Sequence, residues 1–261
     1  MLKLSDVTLT MVETVAHKLG RLAVNDCVSK AQFADVVIFT DKPEEFHPLD
    51  CGARFVEVPN WPTKREWSKF SWHGVIDHVG TAMTLHLQWD SGIWSPDAWS
   101  DEFLDYDLIG APWPWHPTKR IGNLGFSFRS TRIMRYLYKH RDRFPIKNDV
   151  DDDLVCRTYR PMLEQEAGLT WAPERVAERF SFECAEPDMT RKHWGYHAAF
   201  NFAHVFDEEQ VMERARLMLA SPQLQRSNQM RWFAERNPHM IKRLSDENAL
   251  ALQQSETQAA A

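Results

Sequence analysis

Short apolar runs alternate along this chain with stretches of helical spacing. Val7 to Val12 (Val-Thr-Leu-Thr-Met-Val) reads as a strand that Glu13-Thr14 ends. From His17 to Ala31, Leu19, Leu22, Ala23 and Cys27 recur at the spacing of one helix face. Asp35-Val-Val-Ile-Phe-Thr40 is a continuous apolar run, as in a strand buried on both faces, and Asp41-Lys-Pro43 stops it. Arg54 to Val58 predicts a third strand closed by Pro59, Trp67 to Val79 a helix, and Met83 to Gln88 a fourth strand ending at Trp89-Asp90. Such alternation predicts βαβ crossovers, hence an α/β fold with a mostly parallel central sheet flanked by helices.

The pattern then changes. Asp90 to Gly125 is rich in Trp, Pro and Gly, which predicts long irregular segments around a site. Helical spacing returns at Arg132–Tyr138 and Leu154–Gln165, and three further helices are predicted at about 208–220, 223–236 and 239–253. The expected organisation is a catalytic domain over 1–206, a helical C-terminal extension over 207–254, and a disordered polar tail at 255–261.

Composition narrows the choices. A net charge of −6 argues against a nucleic-acid partner, which would call for a basic excess. No run of ~20 apolar residues is present, and no charged segment with an apolar core opens the chain. A cytoplasmic protein without a transmembrane segment is therefore expected. The four cysteines, Cys27, Cys51, Cys156 and Cys184, lie far apart and are expected to be reduced. The 11 tryptophans suit either of two readings, ordinary core packing or the flat platforms on which sugar rings lie.

Four local features carry candidate chemistry. The apolar strand Leu85-His-Leu-Gln-Trp-Asp90 ends in a carboxylate, and strand ends of a parallel sheet face the ligand crevice. A carboxylate there suits a hard divalent cation, or else it only caps a turn. Gly122-Asn-Leu-Gly125 permits close backbone approach but lacks the P-loop and dinucleotide fingerprints. Asp149-Val-Asp-Asp-Asp153 crowds four carboxylates, which favours the raised pKa of a general base, or equally marks a helix start. His197 follows Trp194-Gly-Tyr, with His193 and His204 nearby.

In their order these features resemble a known family. From about Trp67 to Phe202 the chain is similar to an uncharacterised, mainly bacterial domain family grouped with the GT-A glycosyltransferases. The matching strings are LHLQWDSGIWSPDAWSDEF, YDLIGAPWPW, RIGNLGFSFRS, DDDLVCRTYRPMLEQEAGLTWAPERVAERFSFE and WGYHAAFNF. The resemblance implies a GT-A-like nucleotide-diphospho-sugar transferase fold and transfer of a sugar from a nucleotide-sugar donor to an acceptor hydroxyl. By analogy the acceptor is a bacterial surface glycan or glycolipid.

Roles follow position by position. The metal-binding Asp-X-Asp element of such enzymes corresponds to Gln88-Trp89-Asp90, with Gln88 in place of the first carboxylate. Asp90 and the late histidine His197 are the implied metal ligands, and a histidine favours Mn²⁺ over Mg²⁺. The glycine loop corresponds to Gly122–Ser127, so Gly122, Asn123, Gly125 and Ser127 are expected beside donor and acceptor. The acidic pair corresponds to Asp151 and Asp152, the second being the base of an inverting reaction, while Asp153 leaves the register open by one. Trp113 and Trp115 are expected to wall the sugar pocket, and Glu13, Thr14 and Asp41 to meet the base and ribose.

Two other classes compete: a non-catalytic sugar-nucleotide or glycan-binding module on the same fold, and a metal-dependent phosphohydrolase, which calls for a denser metal cluster. In the C-terminal helices Arg214, Arg216, Arg226, Arg231, Arg236, Lys242 and Arg243 accompany Met218, Met230, Trp232 and Phe233. That mixture suits either peripheral contact with an anionic membrane face or a helical cap with solvated charges.

Overall fold

The computed structural model describes residues 1–49, 51–147, 150–184 and 192–247. Asp149, the end of the last expected helix and the expected tail at 255–261 lie outside the described residues. The chain divides into two compact units, Met1–His197 and one beginning at Ala198. The boundary expected after residue 206 thus falls inside the second unit.

In the first unit the chain runs β1 (Leu2–Val12), α1 (His17–Lys30), β2 (Ala31–Thr40), β3 (Arg54–Glu57), α2 (Lys64–His73), β4 (Met83–Leu87) and β5 (Ser91–Ile93). It continues through β6 (Leu108–Gly110), β7 (Phe126–Ser130), α3 (Thr131–Lys139), α4 (Asp151–Asp153), α5 (Arg160–Ala167), α6 (Glu174–Phe180), β8 (Ser181–Phe182) and β9 (Gly195–His197). Six strands form one sheet in the order β3-β2-β1-β4-β7-β6. The four expected strands pair in parallel, and β7 runs antiparallel to both β4 and β6. A second, three-stranded sheet has the order β5-β9-β8.

The middle segment is thus more regular than its composition predicts. β6 and β7 are three and five residues long, too short for an alternation to stand out among the prolines and tryptophans around them. The helix expected over Leu154–Gln165 is also divided, into a π-helical turn at Leu154–Thr158 and α5.

Apolar side chains of both sheet faces build the core. Leu9, Met11, Val37, Ile38, Phe39, Leu85 and Leu87 are fully enclosed. Phe126 and Phe128 of β7 stack against Phe180 and Trp194, with ring centroids 5.3 to 5.4 Å apart. Each such aromatic contributes about 1.5–3 kcal/mol by burial. Trp72 and Trp194 are therefore core residues, whereas Trp115 lies 57% exposed. Caps set the helix starts: Thr63 Oγ1 accepts from Glu66 N at α2, and Ser130 Oγ from Ile133 N at α3.

The second unit holds α7 (Phe202–Val205), α8 (Glu208–Ala220), α9 (Pro222–Gln225) and α10 (Asn228–Arg236), with a helix over 238–247. A capping box of Asp207 and Gln210 starts α8. Its cations are largely engaged. Arg243 pairs with Glu208, Glu209 and Glu247, Arg216 with Glu247, and Lys242 with Asp246. Arg214 is buried against the Phe206 ring at 3.7 Å and Arg236 stacks on Phe200. Among the described residues no helix is long and apolar enough to cross a membrane.

Candidate functional site

The small sheet brings together residues that are distant in sequence. Antiparallel pairing sets Ser91 of β5 opposite His197 of β9, so Asp90, one residue earlier, comes beside the imidazole. Parallel pairing of β8 with β9 sets Phe182 opposite Tyr196, which carries Glu183 to the other edge of the same ring. His197 Nε2 lies 3.4 Å from Asp90 Oδ1 and 3.2 Å from Gln88 Oε1. Its Nδ1 lies 3.0 Å from Glu183 Oε1 and 2.7 Å from Asn123 Nδ2.

The orientation of Asn123 is fixed, because its Oδ1 accepts from the backbone N–H groups of Gly125 and Phe126. Its Nδ2 therefore faces the ring. A neutral His197 accepts that bond at Nδ1; a protonated one donates there to Glu183. Burial alone would push the imidazole down, but Asp90 and Glu183 outweigh it and hold it up at about 10.

Asp90 is buried, and its Oδ1 makes no well-formed hydrogen bond, only the ion-pair contact with His197. One carboxylate oxygen, one imidazole nitrogen and one amide oxygen thus converge at the spacing of neighbouring ligands around a cation. Once its proton leaves Nε2, the imidazole would complete with the two oxygens a donor set suited to a single Mn²⁺ or Mg²⁺, whose remaining positions a ligand's oxygens would fill. Among the described residues no group of three or more His, Cys, Asp and Glu side chains forms a denser site.

The three consecutive aspartates part company at α4. Asp151, expected as the first of the catalytic pair, is buried, and each of its oxygens accepts a bond from α2, from Ser68 Oγ at 3.0 Å and Trp72 Nε1 at 2.9 Å. In this geometry its carboxylate ties α4 to α2. Asp153 points outward into an ion pair with Arg157. Asp152 lies between them, half-buried, with Oδ1 accepting from Leu124 N at 2.8 Å. Burial, then Asp151, pushes its carboxyl up to about 7, against the pull of Lys64.

The glycine loop joins these parts. Asn123 reaches His197, Leu124 reaches Asp152, and the Gly125 carbonyl accepts from Gln88 N. A Cβ on Gly125 would lie 2.2 Å from His197 Nε2 and 2.8 Å from Gln88 Oε1. A Cβ on Gly122 would meet Arg157 Nη2 at 2.2 Å. Both glycines therefore make room for protein side chains, where ligand approach was expected. Ser127, expected beside donor and acceptor, is buried, donates to the Leu124 carbonyl and accepts from Arg129 Nε.

Arg129, which the sequence reading passed over, is buried beneath the loop over Trp72. It donates to the Leu124 carbonyl at 2.9 Å and to Ser71. It thus grips, by the carbonyl, the residue whose N–H holds Asp152. Burial pushes it down to about 10. Glu183 was also missed. Its only sequence signal is its place at the end of the apolar run Phe180-Ser-Phe182.

Other expected residues fall around this centre. Glu13, buried at the end of β1, accepts from Val15 N and Ala16 N. Burial pushes its carboxyl up in spite of those bonds. Thr14 is buried beside it, and Asp41 pairs with His17 at 2.7 Å. Trp113 donates its Nε1 to Glu183 and stacks on Trp115 with centroids 5.2 Å apart. The Arg157 guanidinium lies 4.6 Å from the Trp113 ring.

Comparison with known proteins agrees with this geometry at the level of the fold. Residues 55–197 match the family described as "Protein of unknown function (DUF5672)". No curated protein matches the sequence. Among solved structures, a crystal structure of an active-site mutant of LgtC, a GT-A glycosyltransferase, superposes with a TM-score of 0.50 at 11% identity. The match covers 82% of this chain and 96% of that one. The first unit's six-stranded sheet with flanking helices has a GT-A-like fold.

Proposed function

Because the chain belongs to the DUF5672 family of proteins of unknown function, whose description assigns no activity, we propose a function from the site itself: a metal-assisted, inverting glycosyltransferase. The observation that carries this reading is the loop Gly122–Gly125. It touches Asp152 through Leu124 and the Asp90–His197–Gln88 cluster through Asn123 and Gly125. A base and an anion-neutralising centre are thereby fixed relative to one another, which in-line group transfer requires.

Asp90, His197 and Gln88 would hold Mn²⁺ or Mg²⁺, which neutralises charge on a departing nucleoside diphosphate. Asp152 takes the proton of the acceptor hydroxyl as that oxygen bonds to the anomeric carbon. The bond from that carbon to the diphosphate oxygen breaks, and the configuration inverts. A carboxyl poised at about 7 suits this work at neutral pH. Trp113 and Trp115 offer faces to a pyranose ring, and Glu13, Thr14 and Asp41 stand at the ends of β1 and β2 where a base and ribose would lie. By analogy with GT-A enzymes, the proposed acceptor is a surface glycan or glycolipid and the proposed setting is the cytoplasm.

Turnover of a panel of nucleotide sugars with Mn²⁺ tests the reading. Sugar release from at least one donor, lost in Asp152→Asn, supports transfer. A donor that binds but is never turned over would assign the chain to the class of binding modules.

A further inference from the structure

On α2, Ser68 and Trp72 form the inner face that holds Asp151. Arg65, Lys69 and His73, spaced by four residues, form a second stripe on the same helix. This stripe and the segment after α3, with Arg141, Ile146 and Lys147, wall a cavity of about 580 Å³. Arg65, Lys69 and Lys147 make no ion pair among the described residues. Arg141 is held in place, donating to the Tyr138 carbonyl with its guanidinium 4.9 Å from the Tyr138 ring. Among the described residues of the wall, Glu66 and Asp142 alone oppose these four cations, and Glu66 is engaged by Thr63 of the α2 cap.

His73 supplies the second observation. It is 7% exposed, and both of its ring nitrogens are buried with no hydrogen-bond partner. His73 is thus a wall residue of a basic cavity whose imidazole has no hydrogen-bond partner of its own. Burial, with the charges of Lys69 and Arg141, pushes its pKa down to about 4. The ring is therefore neutral at pH 7 and carries one N–H.

We propose that this cavity is a binding site for a phosphoryl group, separate from the proposed catalytic centre, with Arg65, Lys69, Arg141 and Lys147 neutralising the anion and His73 donating to it. The anion takes charge-assisted hydrogen bonds, which are stronger than neutral ones. It also offsets the repulsion among four cations that share one wall. The same chemistry is presented by a free phosphorylated small molecule and by a lipid phosphate headgroup. The site stands independently of the transferase reading.

Calorimetric titration of the full chain with inorganic phosphate and with pyrophosphate, no metal added, reads the site directly. Saturable binding is expected, weakening with salt and falling about tenfold or more in a Lys69→Ala/Arg141→Ala double variant. Asp90→Asn is expected to bind as the parent does. Should the double variant melt early, Lys69→Gln alone is measured, and phosphate-dependent movement of the His73 ¹⁵N signals serves as the local readout. Co-sedimentation with phosphatidylcholine vesicles, with and without phosphatidic acid, separates the sources. Binding to the phosphatidic acid vesicles alone, lost in the variant, assigns a lipid headgroup; binding of soluble phosphate without vesicle binding assigns a small molecule. The proposal is overturned if neither phosphate nor phosphatidic acid binds. It is overturned equally if binding survives the double variant but disappears in Asp90→Asn.

Discussion

Within one turn, Asp151, Asp152 and Asp153 meet three different surroundings, and their variants should differ accordingly. Asp152→Asn should lower turnover by about 10²–10⁴-fold, with nucleotide affinity little changed, while Asp153→Asn should be mild. Steady-state kinetics and calorimetry on the two variants distinguish them; a dead Asp153→Asn beside an active Asp152→Asn would move the base by one position. Turnover of the parent should rise with pH through about 7 as Asp152 ionises. Stability should run the other way. The folded pKa lies above the ordinary 3.8, so the native state holds a proton that the unfolded state releases first. That contribution is complete below the unfolded value and is lost as pH rises through about 7. Asp152→Asn should therefore melt higher than the parent at pH 8, with a smaller difference at pH 5. At Gly125 even alanine places a carbon against His197 Nε2 and Gln88 Oε1. Gly125→Ala should weaken binding of a nucleoside diphosphate with Mn²⁺ while the fold survives, as calorimetry and circular dichroism would show. The carboxylate triplet was visible in the sequence. Which member faces the loop was not, because helix phase depends on the Ser68 and Trp72 donors of α2, some eighty residues earlier.

At the scale of elements, the four parallel strands were legible because each gathers apolar residues in a short run or alternation between polar stops. β6 and β7 were not, because strands of three and five residues carry too little alternation. The small sheet was invisible for a stronger reason. β8 and β9 hold two and three residues, and they are flanked by Phe180 and Trp194, which pack against each other, with Trp194 also on Phe126. Yet these strand ends deliver Asp90, Glu183 and His197 to one point. Glu183 links the imidazole to the Trp113 indole. Truncating Glu183 to alanine should cost about 10–100-fold in Mn²⁺-dependent nucleotide affinity, as for other partners that orient a ligating histidine. The Trp113 contribution to fluorescence should shift as well, without metal or nucleotide present. Unchanged affinity in Glu183→Ala would confine the carboxylate to holding the tryptophan loop.

For the molecule as a whole, the four thiols report on the packing. None of the four forms a disulfide, and Cys27 and Cys156 are buried, their thiols pushed up to about 12 by that burial. A thiol reagent should label Cys51 and Cys184 in the native protein, and the other two only after denaturation. Labelling of all four at once would mean a looser core than the packing describes. The pairing of β5 with β9 has a kinetic meaning too. Gln88 and His197 meet across 109 residues of chain, so the entropy of closing that loop must be met before the site exists. Nucleotide-binding competence should therefore arrive late in refolding, after the parallel strands have formed, and a chain halted before β9 would carry its glycine loop and Asp152 yet remain unable to seat a ligand.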